Sequence, residues 1–150
     1  MGLDMYLNVR KFHRTQYQGT GEEFVRLPKP EMDGFERSYS TAEVCYWRKN
    51  HWLHGFIVDE FASGEDDCEE ITLRHEDLVK IYETLEKWRD DPDALSATEG
   101  FFFGTGDEEW RDMCRDRIAD DLVQIRKAID WLADEDFDKE WREVFYQASW

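Results

Sequence analysis

The sequence predicts an α+β domain: about three helices packed on a small, mainly antiparallel sheet that includes both terminal segments. Two alternating stretches at the ends and three helical stripes between them carry that prediction. Leu3, Met5, Leu7 and Val9 alternate with Asp4, Tyr6, Asn8 and Arg10, the period-two signature of a strand with one buried face. Trp141–Trp150 alternates more loosely and reads as a second terminal strand, able to pair with the first. The chain ends on Trp150, and a large aromatic there predicts an end held by packing rather than frayed. Residues 1–150 read as one compact domain, long enough to bury a core.

The stretch 16–40 is turn-rich, with Gly19, Gly21, Pro28, Pro30 and Gly34, and reads as a loop or an irregular hairpin. Glu43–Tyr46 is expected to be a short strand. From about Trp47 to Phe61 the period changes. Asn50, Leu53, His54, Ile57 and Phe61 fall on one helical face, which predicts the first helix. Arg48 and Lys49 then open that helix, a poor place for cations because they oppose the helix dipole. Cys68–Leu73 reads as a strand. His75–Arg89 is the second helix, with Leu78, Ile81, Tyr82 and Leu85 on one side, stopped by Asp91-Pro92-Asp93. Thr105 to Glu108 has the form of a capping box. The stripe of Trp110, Cys114, Ile118, Leu122, Ile125, Ile129 and Leu132 predicts one third helix behind it.

Composition narrows the function classes. The formal net charge is −17. Residues 1–58 hold 7 acidic and 8 basic side chains, whereas residues 59–150 hold 29 acidic and 11 basic ones. Direct nucleic-acid binding is disfavoured, since the required basic stripe is missing. The acidic half is either a solvated surface or a mimic of a phosphate backbone that docks on a DNA-binding protein. No apolar run reaches the length of a membrane span, and no signal peptide is visible. Three widely spaced cysteines without a CxxC pair suggest a reducing, cytoplasmic setting.

The candidate ligand-binding residues are Tyr46, Trp47, Arg48, Lys49, His54, Phe101, Phe102, Phe103, Tyr146 and Trp150. His54 on an apolar face is either a satisfied core histidine or part of a pocket wall. Three adjacent phenylalanines cannot all face one way, so one is expected to point to a groove or a partner. The glycine loop around them is a poor phosphate cradle, because Asp107, Glu108 and Glu109 follow it. Asp66, Asp67 and Cys68 match no calcium or zinc spacing, so neither a metal nor a cofactor is expected. No nucleophile elbow, Walker loop or dinucleotide fingerprint is present, and a catalytic residue set is not assigned.

Gly2–Leu7, Tyr46–Lys49, His54, Asp66, Cys68, Thr98, Gly100–Gly104 and the Tyr146, Ser149, Trp150 end resemble, in this order, a family of small uncharacterised phage and prophage proteins. The resemblance spans the whole chain. It implies a cytoplasmic accessory protein in a host cell. Some members carry a phosphoglycerate-kinase label, which this chain does not support, being too short and lacking a nucleotide loop. Three readings compete. The first is a binder of a small, flat, anionic ligand, such as a nucleotide signal of host defence. The second is an acidic module or DNA mimic that inhibits a host protein. The third is a small hydrolase using His54 with Asp66 or Cys68. A homo-oligomer is compatible with each; a membrane partner is not expected.

Overall fold

A computed structural model describes residues 2–98, 107–135 and 141–150. Strand β1 (Asp4–Phe12) is followed by two small hairpins, β2 (Gln16–Gln18) with β3 (Val25–Leu27), and β4 (Glu31–Met32) with β5 (Phe35–Glu36). Strand β6 (Tyr39–Arg48) returns to the main sheet and leads into helix α1 (His51–Phe61). Strand β7 (Ile71–Leu73), helices α2 (His75–Asp90), α3 (Glu108–Asp116) and α4 (Ile118–Ala133), and strand β8 (Arg142–Ser149) complete the order. The main sheet runs β6-β1-β8-β7 and every pair in it is antiparallel. The fold is therefore α+β, and both terminal segments lie side by side in its sheet.

Register explains the core. Met5 sits opposite Trp47 on one side and Ala148 on the other, and Leu7 lies between Cys45 and Tyr146. Alternation sends Leu3, Met5, Leu7, Cys45, Trp47, Val144, Tyr146 and Ala148 to one face, and all are buried. Leu53, Ile57, Leu78, Ile81, Leu85, Trp88, Ile118, Leu122, Ile125 and Ile129 from the helices join them in one cluster. The opposite face carries Asp4, Tyr6, Asn8, Arg10, Tyr46 and Phe145. There Arg10 spans Glu70 at 2.7 Å and Glu143 at 3.4 Å, and its guanidinium lies 4.1 Å from the centre of the Phe145 ring. That cover leaves Phe145 only 3% exposed.

Several expectations are corrected. The short strand at Glu43–Tyr46 is part of a ten-residue strand that continues through Trp47 and Arg48. Arg48 thus ends a strand instead of opening a helix. Lys49 turns the chain with a left-handed φ of 52°, and Asn50 caps α1 by accepting a hydrogen bond from the Leu53 amide at 3.1 Å. Asn50 is a cap, not a member of the apolar stripe. Helix α1 is also buried on more than one side, with His51, Trp52 and Val58 enclosed as well. Trp52 stacks on Trp88 of α2 at 6.0 Å.

The strand expected from Cys68 is confined to Ile71–Leu73, because Cys68 itself takes a left-handed φ of 63°. The turn-rich stretch forms two hairpins rather than a loop or one irregular hairpin. The single third helix is two. Arg117 interrupts it with a 3₁₀-type bond from its amide to the Cys114 carbonyl, and its guanidinium donates to the Tyr46 carbonyl at 3.3 Å. The cap expected at Thr105 lies outside the described residues; Asp107 performs that role, accepting from the Trp110 amide at 2.8 Å. Helix α2 is closed at its start by the Asp77 carboxylate, which accepts the Arg74 amide.

Candidate functional site

Strand alternation aims Tyr146 of β8 at the helices, where it meets His54 of α1. The His54 Nδ1 is 2.7 Å from the Tyr146 hydroxyl, and its Nε2 is 2.9 Å from the Asp66 carboxylate. His54 and Tyr146 are each 1% exposed, whereas the Asp66 side chain is 29% exposed. A neutral imidazole satisfies both neighbours in one tautomer: Nε2–H donates to Asp66, and Nδ1 accepts from Tyr146 O–H. The result is a hydrogen-bonded chain from the solvent edge into the core. Burial, reinforced by the charge of Asp66, pushes the Tyr146 hydroxyl well above its ordinary value. It stays protonated and able to donate.

Other segments close around this chain. The Trp150 ring lies edge-on to His54 at 6.1 Å. Trp150 is half-buried, so the end is packed without being enclosed. The side chain of Gln147 donates to the Cys68 carbonyl at 3.3 Å, which ties the 62–70 loop to β8. Thr98 presses on Gly55, one residue after His54. A Cβ at Gly55 would lie 1.6 Å from the Thr98 hydroxyl oxygen. The Lys49 amide donates to the Leu3 carbonyl, and the Trp110 indole donates to the Lys49 carbonyl at 2.8 Å. Residues from the segment before β1, the β6–α1 turn, α1, the 62–70 loop, the segment after α2, α3 and β8 therefore meet at one end of the sheet.

The ten candidate residues separate into groups. His54, Tyr146 and Trp150 are brought together. Lys49 is next to them: burial first, and then its neighbours His54 and Lys49, lower the affinity of buried His51 for a proton. Arg48 is exposed at the same end, near Gly2. Neither Arg48 nor Lys49 forms an ion pair with another described residue. Tyr46 belongs elsewhere. It points from the opposite face of the sheet, packs against Tyr6 with tilted rings 5.3 Å apart and donates to Asp4 at 2.5 Å. Trp47 is a core residue whose indole donates to buried Asp121 at 2.7 Å. Phe101, Phe102 and Phe103 lie outside the described residues. Asp66, weighed in the sequence only as a metal or hydrolase candidate, is the partner that completes the centre.

No metal-ligand cluster occurs among the described residues. The cysteines offer no activated thiolate in the core. Burial drives Cys45 far above its ordinary range and Cys114 up to about 11. Among the described residues no helix is long and apolar enough to cross a membrane. The chain matches no family model, no curated protein and no solved structure in comparison with known proteins.

Proposed function

We propose that this chain is an accessory protein of the phage and prophage type that binds a small, flat, anionic ligand without transforming it. The observation that carries the reading is the end of the sheet around His54. Two cations without ion-pair partners among the described residues, Arg48 and Lys49, stand where β6 turns into α1, at the same end of the sheet as the half-buried Trp150 indole. In a chain of net charge −17 such cations are readily neutralised internally, so their position favours an external anion. The geometry of His54 supports binding over catalysis. Both ring nitrogens are engaged and the ring is buried, so the histidine positions its neighbours instead of attacking or deprotonating a bound molecule. A nucleotide signal of host defence has the required shape and charge.

The test is native mass spectrometry of the protein purified without added ligand, compared with the Arg48→Ala/Lys49→Ala double variant. A small anionic species retained by the parent and lost from the variant is expected. Retention of the same species by both proteins, or co-purification of a protein partner and no small molecule, would overturn the reading. The second outcome would favour a role for the acidic surface.

A further inference from the structure

The far end of β1, away from His54, forms a second concave surface. It is lined by Lys11, Phe12, His13, Arg14, Gln16, Leu27, Pro28, Lys29, Pro30 and Trp141, and encloses about 180 Å³. We propose that it is a binding site for a compact phosphomonoester borne on a flat ring, separate from the site at the other end of the sheet.

The charge of the lining is the first argument. Of 150 residues 36 are acidic, yet none of the ten described residues that line it is, while three are Lys or Arg and one is His. Charges of one sign that gather in a cleft against the sign of the whole molecule focus the local potential on an opposite partner. The overall negative charge does not cancel that focus, because charges beyond roughly 8 Å are largely screened at physiological salt.

The second argument concerns two of these cations, Arg14 and Lys29, which are not tied to carboxylates among the described residues. The Arg14 guanidinium lies 5.2 Å from the centre of the Trp141 ring and forms no ion pair with a described residue. An aromatic face orients the planar group and leaves its N–H donors available for an anion. Lys29 stands between Pro28 and Pro30. Pro30 disfavours helical geometry at Lys29, and two prolines reduce the freedom that binding would otherwise remove. Lys29 likewise forms no ion pair with a described residue. His13 is fixed at its neck: its amide donates to the Ser38 carbonyl at 2.8 Å, and its Nε2 is 2.7 Å from the Ser40 hydroxyl. Several convergent donors suit a dianionic phosphoryl group better than a single carboxylate. Trp141 and the half-exposed Phe12 supply flat apolar surface beside them. Pockets for drug-sized ligands begin near 300 Å³, so this one suits a compact molecule.

The test is a titration of the whole protein with phenyl phosphate, followed by the ¹H–¹⁵N signal of the Trp141 indole. That signal is assigned by its loss in Trp141→Phe. Phenol and inorganic phosphate serve as ligands lacking the charge and the ring. Saturable shifts with phenyl phosphate, at least tenfold weaker for each control, are expected. Arg14→Ala/Lys29→Ala, both at surface positions, is expected to weaken phenyl phosphate at least tenfold, while Arg48→Ala/Lys49→Ala leaves it unchanged. Absence of saturable shifts, equal binding of phenol, or full affinity in Arg14→Ala/Lys29→Ala would overturn the proposal. Equal binding of inorganic phosphate would overturn its aromatic half. Loss of binding in Arg48→Ala/Lys49→Ala alone would place the ligand at the other end of the sheet and overturn it as well.

Discussion

Replacing Gly55 by alanine tests the packing that sets His54. In an ordinary helix interior this change is favourable by about 0.5–1 kcal/mol, because alanine loses less backbone freedom on folding. Here the new Cβ would meet the Thr98 hydroxyl oxygen at 1.6 Å and the Thr98 Cβ at 2.7 Å. Both separations are far inside contact distance, and the second atom belongs to the root of the side chain. Rotating Thr98 therefore cannot relieve the overlap; its backbone or α1 must shift. Overpacking of this kind costs about 1–3 kcal/mol. Set against the helix gain, Gly55→Ala is expected to destabilise by about 1–2 kcal/mol. At a few degrees per kcal/mol for a domain of this size, the melting temperature falls by about 2–8 °C. In a Thr98→Gly background the three nearest atoms are gone, and the same substitution is expected to stabilise by about 0.5–1 kcal/mol. Urea unfolding of the four proteins in a double-mutant cycle measures the coupling. The same effect of Gly55→Ala in both backgrounds would refute the close approach of Thr98 to α1.

Three further outcomes are expected. Tyr146→Phe removes the buried hydroxyl facing His54 and is expected to cost about 1–3 kcal/mol in urea unfolding, since it strands a ring nitrogen away from water; no loss would show that the hydroxyl is dispensable to the fold. Trp150→Ala is expected to cost less than the roughly 3–5 kcal/mol of a fully buried aromatic, because the ring is only half-buried; a loss of that full size, read from the unfolding midpoint, would mean a more enclosed end. Asp121 is buried, and burial raises its carboxyl above the usual range against the smaller opposing effect of the Trp47 hydrogen bond. A raised folded value means that its ionisation penalises the folded state in full above that value. The penalty fades as pH falls through it toward the unfolded value. Asp121→Asn, which keeps an acceptor for Trp47, should therefore gain stability relative to the parent at neutral pH and lose that relative gain in acid. A difference between the two proteins that stays flat from pH 7 to the acidic range would contradict this.

The sequence by itself determined the elements whose signal is local. The alternation of Leu3, Met5 and Leu7 with polar neighbours marks β1 because one face must be buried and the other need not be. The stripe of Leu78, Ile81 and Leu85 marks α2 for the corresponding helical reason, and the loose alternation after Trp141 marks β8. Elsewhere the same residues satisfied two periods. Trp47 and Arg48 looked like the start of a helix because a helical stripe follows them; in the structure the pairing of Trp47 with Met5 across the sheet extends the strand over them. The break at Arg117 carries no proline or glycine. It arises from tertiary demands: two helices fit the sheet where one straight stripe would not, and Arg117 reaches the Tyr46 carbonyl while Asp121 receives Trp47.

The candidate site divides in the same way. His54 was visible as a polar group on an apolar face, and Tyr146 and Trp150 as aromatics at one end of the chain. Their meeting with Asp66 was not visible, because partners 12 and 92 residues from His54 carry no local signature of contact. The cationic pocket was less visible still. Lys11, His13 and Arg14 belong to one strand end, Lys29 to the neck between two hairpins, and Trp141 immediately precedes β8. Local sequence decides which face of each element is apolar, since periodicity is a property of neighbours. Only the antiparallel register of the sheet decides which distant side chains share a surface, since one residue of slippage would send every one of them to the other face.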